Sequence, residues 1–376
     1  MMIEILIILG VIGVLGECYI ISLWILAYQR TKKTTFPPYA PVTCVIIPCK
    51  GIEHGFHENI HAFLTQEYPK YKLIFVVDSA EDPAYQYLQH HTMGKLNVHL
   101  LLTTPASGCS GKVAALLTGL ESVTTPEVLV FADSDIKPDT HWLENIITPL
   151  QDQTIGATTG YRWYFPSNLK SLLISAWNMS SIVFMFFPRF TFAWGGSTAI
   201  RKTVFDELKI KEKWKYAFSD DLVLTQAVKK AGYTIYLQPK CIIESPPERS
   251  IRRFIRWGTR QYTWVRWYYP LFWLGSFFGF IGLQVLIVIG VFLLLFGYYL
   301  PGLLFCSILL FEILYGLLGI TILPKTMIYP EDRYHSKLGY AFFTPIVFLL
   351  LAQNVLASAV KQEIQWAGRS YRKPKN

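Results

Sequence analysis

The chain has little of what a soluble enzyme is built from. Only 16% of its 376 residues are charged while 52% are hydrophobic, and the mean hydropathy is +0.31. That balance excludes an ordinary soluble domain and makes a membrane protein the first inference; the length allows two or three units. The six cysteines (Cys18, Cys44, Cys49, Cys109, Cys241, Cys306) show no Cys-x-x-Cys spacing, and Cys18 and Cys306 sit in apolar runs. Neither a disulfide framework nor a zinc knuckle is indicated, which suits a reducing cytosolic face. Acidic residues are also outnumbered, giving a formal net charge of +9. The arginines lie mostly beside apolar segments, so the anionic partners favoured are a membrane surface and a pyrophosphate, not nucleic acid.

Ile3 to Ala27 is almost uniformly apolar and long enough to cross about 30 Å of hydrocarbon, and Arg30, Lys32 and Lys33 follow it. A cleaved signal peptide would carry positive charge before the run and a small-residue cleavage site after it; both are missing. The segment reads as a retained anchor (residues 1–30) with its carboxyl end in the cytosol. Leu271–Leu300, Leu303–Leu323 and Leu338–Val360 make a second membrane region (271–361). Lys325, Arg333 and Lys337 place the last loop inside by the positive-inside rule. A fully crossing last segment would put the basic tail (362–376; Arg369, Arg372, Lys373, Lys375) and the adjoining Lys361 outside, against that rule, whereas a re-entrant one would not.

Between the apolar regions, residues 38–248 read as a catalytic domain. Thr43–Pro48, Lys72–Asp78, Asn97–Leu102 and Val128–Asp133 are short β-rich runs, with helical patterns at His57–Gln66, Pro83–His91 and Lys112–Leu120. This alternation argues for βαβ units, hence an α/β fold with a mostly parallel sheet flanked by helices. Ser171–Phe187 is apolar, but a crossing there would put the later acids on the other side of the membrane. It is expected to be an interfacial helix or the roof of an acceptor pocket, with Trp163, Trp177 and Trp194 near headgroup depth, or else plain core.

Val128–Ala132 runs without alternation into Asp133-Ser134-Asp135, as expected of a strand buried on both faces. Ligands of parallel sheets gather at the carboxyl ends of strands. Two carboxylates so close repel each other unless a hard divalent cation, Mn²⁺ or Mg²⁺, bridges them to phosphates. Asp78 ends the second strand and should converge on the same edge. Gly108-Cys-Ser-Gly-Lys112 opens a helix in a manner suited to an anion or nucleobase. Trp194-Gly-Gly-Ser-Thr198 is either a close-approach turn for a ligand or a β-turn needing positive φ. In Ser219-Asp220-Asp221, opening a helix at Leu222–Ala231, one residue fits a cap; the second acid exceeds what a cap requires and makes Asp221 a general-base candidate. Residues 249–270, with Arg252, Arg253, Arg256, Trp257, Arg260, Trp264, Arg266 and Trp267, have the composition of an interfacial helix. His57-Glu58-Asn59-Ile60-His61 matches His-Glu-x-x-His, with Glu81 downstream, and leaves a remote zinc-peptidase alternative.

Taken together, the chain resembles a membrane-bound family-2-type glycosyltransferase of the ceramide glucosyltransferase-like branch, which includes bacterial relatives. The motifs are Asp78 with Asp82-Pro83, Lys112, Asp133-x-Asp135, Asp220-Asp221 where the family usually has Glu-Asp, and Arg253-x-x-Arg256-Trp257. The ending Trp366-Ala-Gly-Arg369-Ser-Tyr371-Arg372 resembles the family's Trp-x-x-Gly-Arg with one spacer fewer. The resemblance implies a GT-A type nucleotide-sugar domain facing the cytosol, in a bacterial case at the inner membrane. It further implies that Asp78 contacts uracil, Lys112 the nucleotide, Asp133 ribose or sugar, and Asp135 the metal. Asp221 would be the base, Asp220 a neighbour at the substrate, and Arg253, Arg256 and Trp257 would serve diphosphate and acceptor. The implied reaction moves a hexose from a UDP-sugar to a ceramide- or diacylglycerol-type hydroxyl with inversion. A processive polysaccharide synthase is the alternative, and a non-enzymatic nucleotide-sugar receptor would need Asp135 and Lys112 but not Asp221.

Overall fold

The computed structural model describes residues 2–33, 35–123, 125–245, 250–326, 336–366 and 368–373; Arg333 and Lys375 lie outside them. In chain order the elements are α1 (Met2–Lys33), β1 (Thr43–Cys49), α2 (Phe56–Leu64), β2 (Tyr71–Val77), α3 (Pro83–Thr92), β3 (Val98–Leu102), α4 (Gly111–Glu121), β4 (Val128–Ala132), α5 (Trp142–Ile147), β5 (Ile155–Trp163) and α6 (Leu169–Met185). They continue with β6 (Ser197–Arg201), α7 (Lys202–Glu207), α8 (Ile210–Trp214), α9 (Asp220–Lys230), β7 (Thr234–Glu244), α10 (Ile251–Tyr268), α11 (Pro270–Leu295), α12 (Tyr299–Ile322), α13 (Lys337–Val360), β8 (Glu363–Trp366) and β9 (Arg369–Arg372). The chain divides into two compact units, residues 34–163 with 185–246, and residues 1–33 with 164–184 and 247–376.

The first of these is an α/β unit around a seven-stranded sheet in the order β3-β2-β1-β4-β6-β5-β7. Every pairing is parallel except those of β6. Side chains alternate faces along a strand, and here both faces are apolar. Ile46, Val76 and Phe131 join Val113 and Leu116 of α4 on one side, while Val45, Phe75 and Val130 join Ile60, Phe63 and Trp142 of α2 and α5 on the other. Each such side chain contributes roughly 1.5–3 kcal/mol on full burial. Because β1, β2 and β4 are parallel, their carboxyl ends, and so Lys50, Asp78 and Asp133, meet at one edge. The reversed β6 brings its amino-terminal turn, Trp194–Gly196, to that edge as well.

Among its described residues the second unit holds four helices long and apolar enough to cross a membrane, Ile3–Thr31, Pro270–Leu295, Tyr299–Thr326 and Lys337–Val360. α13 is a continuous helix of 24 residues around Pro345, long enough to cross unbroken. Small residues and polar contacts join these helices, as expected where lipid supplies little driving force for association. A Cβ on Gly316 would meet Thr344 Oγ1 at 2.1 Å, and Gln284 of α11 donates to the buried Glu312 of α12 at 3.0 Å. α6 is shorter, at 17 residues, and most of it belongs to this unit. The strands β8 and β9 form a hairpin whose Tyr371 packs on Trp264 at 6.3 Å, while Arg260 of α10 lies 5.9 Å over Trp366.

Three sequence expectations change. Trp163 has no accessible surface and Trp177 only 5%, so both are packed tryptophans and not headgroup contacts. Ser197 and Thr198 are the start of β6, and neither Gly195 nor Gly196 has positive φ. His57, Glu58 and His61 are exposed on α2, the His57 ring stacks on Tyr87 at 4.2 Å, and among the described residues no group of three metal-ligating side chains forms. The zinc-peptidase alternative loses its site.

The tightest backbone approach in the sheet is at Gly160, where a Cβ would fall 2.2 Å from the Cys241 carbonyl oxygen. Gly160→Ala is expected to lower stability by about 1–3 kcal/mol, read as a shift in chemical unfolding of the full chain in detergent; an unchanged midpoint would contradict this packing.

Candidate active site

Lys112 is the centre of the edge cluster. Ser110 caps α4 by accepting from Val113 N at 3.2 Å, which fixes the first turn and sends Lys112 inward. Its ammonium reaches Asp133 Oδ1 at 2.8 Å, Asp220 Oδ2 at 3.2 Å and the Gly195 carbonyl at 3.1 Å. An ammonium has three donors, and all three are taken. Lys112 therefore holds protein groups together; a nucleotide contact would require it to release one.

Gly195 faces this ammonium because nothing larger fits. A Cβ there would lie 2.6 Å from Lys112 Nζ and 2.7 Å from Asp220 Oδ2, and on Gly196 2.2 Å from the Trp194 ring. The close-approach reading of this turn is the one the geometry supports. The Gly195 amide donates to Asp221 Oδ2 at 3.3 Å, while Leu222 N donates to Asp221 Oδ1 at 2.7 Å and Ser219 Oγ also bonds that oxygen. Ser219 caps α9. Asp220 is 5% exposed and faces Lys112, and Asp221 is half-buried beside the turn, so the adjacent acids take separate positions.

Asp135 pairs with a different cation, Arg162. Its Oδ2 is 3.5 Å from Arg162 Nη2, and its Oδ1 is buried with no hydrogen-bond partner among the described residues. The Arg162 guanidinium sits 5.0 Å over the Trp194 ring. Sequence reasoning missed Arg162; the only signal was an arginine between two aromatics. At the β2 end, Asp78 pairs with Lys50 at 2.9 Å. Asp82 accepts from Gly51 N at 2.9 Å and Ala84 N at 2.8 Å, so it caps α3 and ties two loops together.

The electrostatics follow from burial and excess negative charge. Burial works to lower the Lys112 pKa, but Asp133, Asp220 and Asp221 outweigh it and raise it. Burial pushes Asp220 up to about 6, against the pull of Lys112, with Asp221 and Asp133 adding to the rise. Burial likewise raises Asp135, with Arg162 opposing and Asp133 adding.

The cluster therefore joins Asp133, Asp220, Asp221 and Lys112, with Asp135 and Arg162 linked to it through the Trp194–Gly196 turn. Arg253, Arg256 and Trp257 belong to the other unit. The two arginines are exposed on α10, and Trp257 stacks on Phe254 at 5.6 Å.

Removing the ammonium would leave buried carboxylates without a partner, so Lys112→Met is expected to destabilise the protein by about 3–5 kcal/mol. Thermal unfolding in detergent measures this, and wild-type stability would mean that Lys112 is not the tie.

The sequence model of Glycosyl transferase family 21 matches residues 5–375. Among curated proteins the chain is similar to Ceramide glucosyltransferase 3 of Caenorhabditis elegans, 28% identical over 120 residues, which is 31% of this chain and 26% of that protein. It is also similar to Ceramide glucosyltransferase 1 of the same organism, 22% identical over 230 residues, 59% of this chain and 49% of that protein. The chain thus matches about half the length of these relatives or less. Among solved structures it resembles the mannosyltransferase PcManGT from Pyrobaculum calidifontis in complex with GDP-Man and Mn²⁺. The TM-score is 0.52 at 17% identity, covering 94% of this chain and 98% of that one. At this identity the likeness speaks for the fold, that of a GT-A glycosyltransferase.

Proposed function

This chain belongs to glycosyl transferase family 21, and from that premise we propose that it moves a hexose from a UDP-sugar to a membrane lipid hydroxyl, ceramide- or diacylglycerol-type, with inversion. The observation that carries the reading is the cluster itself. Asp133, Asp135, Asp220 and Asp221 meet at the carboxyl edge of a nucleotide-sugar sheet, in a chain with four helices apolar enough to cross a membrane. The catalytic unit faces the cytosol, consistent with Arg30 and the adjoining lysines after the first apolar run.

Asp221 is the general base: half-buried, held by the Leu222 and Gly195 amides, and not paired with Lys112. It takes the proton of the acceptor hydroxyl. That oxygen then attacks the anomeric carbon from the face opposite the nucleotide, the bond to the diphosphate breaks, and UDP leaves with the electron pair. The product from an α-linked donor is a β-glycoside. Lys112 positions Asp133 for ribose or sugar and keeps Asp220 beside the base, while Asp78 offers an acceptor to the base of the nucleotide. Arg253, Arg256 and Trp257 serve diphosphate and acceptor, a reading that the exposure of the two arginines on α10 supports.

The residues also fit a divalent cation, Mn²⁺ or Mg²⁺. Asp135 carries a buried oxygen without a partner among the described residues and Asp133 stands two residues away, the one-or-two-carboxylate arrangement that such ions complete with substrate phosphates. When bound, the cation supplies charge neutralisation for the leaving diphosphate.

Membranes containing the protein, given several UDP-sugars with Mn²⁺ or Mg²⁺, should yield a lipid carrying one added sugar by mass spectrometry. Long chains would point to a polysaccharide synthase, and no glycolipid with any donor would sink the reading. Asp221→Asn should cut kcat about 100- to 10,000-fold with UDP binding intact; surviving transfer would remove Asp221 as base.

The pH dependence follows from Asp220. As pH falls through about 6 this carboxylate takes a proton and Lys112 loses a charged partner, so kcat/KM should fall on the acid side of about 6. For stability the sign is opposite: the raised value favours the folded state below the ordinary carboxylate range, a contribution lost as pH rises through about 6. A pH–rate profile flat between 5 and 7, on the order of one pH unit either side of that value, would exclude Asp220 from the titrating machinery.

A further inference from the structure

Arg162 is in contact with the cluster yet belongs to none of the motifs. It precedes the last residue of β5, so the parallel alignment of β5 with β4 carries it to the edge where Asp133 and Asp135 end β4. There its guanidinium lies over Trp194 at 5.0 Å, with Nη2 at 3.5 Å from Asp135 Oδ2. The ring fixes where the charge can sit. Trp194 itself is held against Tyr161 at 6.1 Å and by the close contact of Gly196 beneath it. A guanidinium does not lose its proton in a protein, so this positive charge is permanent. It occupies one oxygen of the carboxylate whose other oxygen is buried without a partner among the described residues.

A fixed cation beside a cation site has a direct consequence. A divalent ion arriving alone at Asp135 meets the repulsion of Arg162 and must compete with it for the carboxylate. A nucleoside diphosphate arriving alone meets four carboxylates, Asp133, Asp135, Asp220 and Asp221, against the two cations, Lys112 and Arg162, that pair with them among the described residues. Arriving together, the ion takes the carboxylate and the diphosphate offers the guanidinium a bidentate anion in exchange. We propose that Arg162 is the resident counter-ion of Asp135 and makes binding of a divalent cation and of a nucleoside diphosphate mutually dependent. The proposal rests on reading Asp135 as the cation's ligand. The dependence is reciprocal: whatever factor the diphosphate adds to cation affinity, the cation adds to diphosphate affinity.

The test measures Mn²⁺ binding to the full chain in detergent by electron paramagnetic resonance, without nucleotide and with saturating UDP or GDP. Wild-type protein should bind Mn²⁺ at least about 30-fold more tightly with the better of the two, within the range typical of coupled sites. Arg162→Met should bind Mn²⁺ alone about 10-fold more tightly than wild type and lose about 10-fold of the enhancement; Arg162→Lys, which keeps the charge, should retain it to within about 3-fold. Arg162→Gln removes the charge while keeping a polar side chain, and gives the same answer where the methionine variant does not fold. Full enhancement in the uncharged variants, or none in wild type, overturns the proposal. Asp135→Asn separates the two readings. If it binds Mn²⁺ like wild type, the cation assignment fails and the proposal with it; if it loses Mn²⁺ while the uncharged Arg162 variants keep the full enhancement, only the role of Arg162 fails.

Discussion

Three hydrogen bonds from one ammonium determine how the edge of the sheet is built. Lys112 reaches β4 through Asp133, the start of α9 through Asp220, and the turn before β6 through the Gly195 carbonyl. These segments lie far apart in sequence, and the ammonium is largely shielded from water, so each contact is worth more than its exposed equivalent and each is costly to leave unmade. Other local features follow from it. Position 195 has no room for a side chain, Ser110 must cap α4 so that the helix starts in register, and Asp220 must turn inward, which leaves Asp221 to face the turn. An aspartate at position 220 fits this geometry, since its short carboxylate already reaches Lys112 at 3.2 Å.

The topology explains why that lysine finds three partners. Parallel β1, β2 and β4 bring their carboxyl ends together, and α4, which follows β3, starts at the same edge. The single reversed strand, β6, contributes its beginning where its neighbours contribute their ends. Without that reversal the Trp194–Gly196 turn would sit at the far edge, and neither the ring under Arg162 nor the amide and carbonyl of Gly195 would reach the acids. One short turn thereby links Asp135, through Trp194 and Arg162, to Asp221, through the Gly195 amide.

Much of this was legible in the sequence, and what was not has physical reasons. β1 to β4 and α2 to α4 fall within about two residues of their apolar patterns, because each is a local signal: an unbroken buried run or a periodic face. The four long apolar helices are equally local. The strands β5, β6 and β7 were not read. β5 carries two glycines and two buried threonines, β6 is five residues long, and β7 contains Pro239, tolerated because β7 is the edge strand. With β5 unread, Arg162 had no place to be assigned. Lys112 was found by type and position, and its sequence context pointed to a bound anion or nucleobase. Its partners within the protein are carboxylates and a carbonyl that only the fold brings near, and no window along the chain contains them.

The membrane-helix unit shows the same principle in a different solvent. Glu312 is fully buried between helices, and one of its oxygens accepts from Gln284. In water-facing protein such an acid would read as an ordinary polar residue. Within a bundle of helices long enough to cross a membrane it is costly enough that its position must be fixed by packing, and the glycine at 316, with no space for a methyl group, shows how closely those helices approach. Both units therefore bury an ionisable side chain where burial penalises its charge, and both have a glycine where neighbouring elements approach too closely for a side chain. In the α/β unit the constrained element is a turn that holds acids apart by fixed distances. That is the arrangement a transferase needs, because a base and a leaving-group site built from like charges stay distinct only if something rigid separates them.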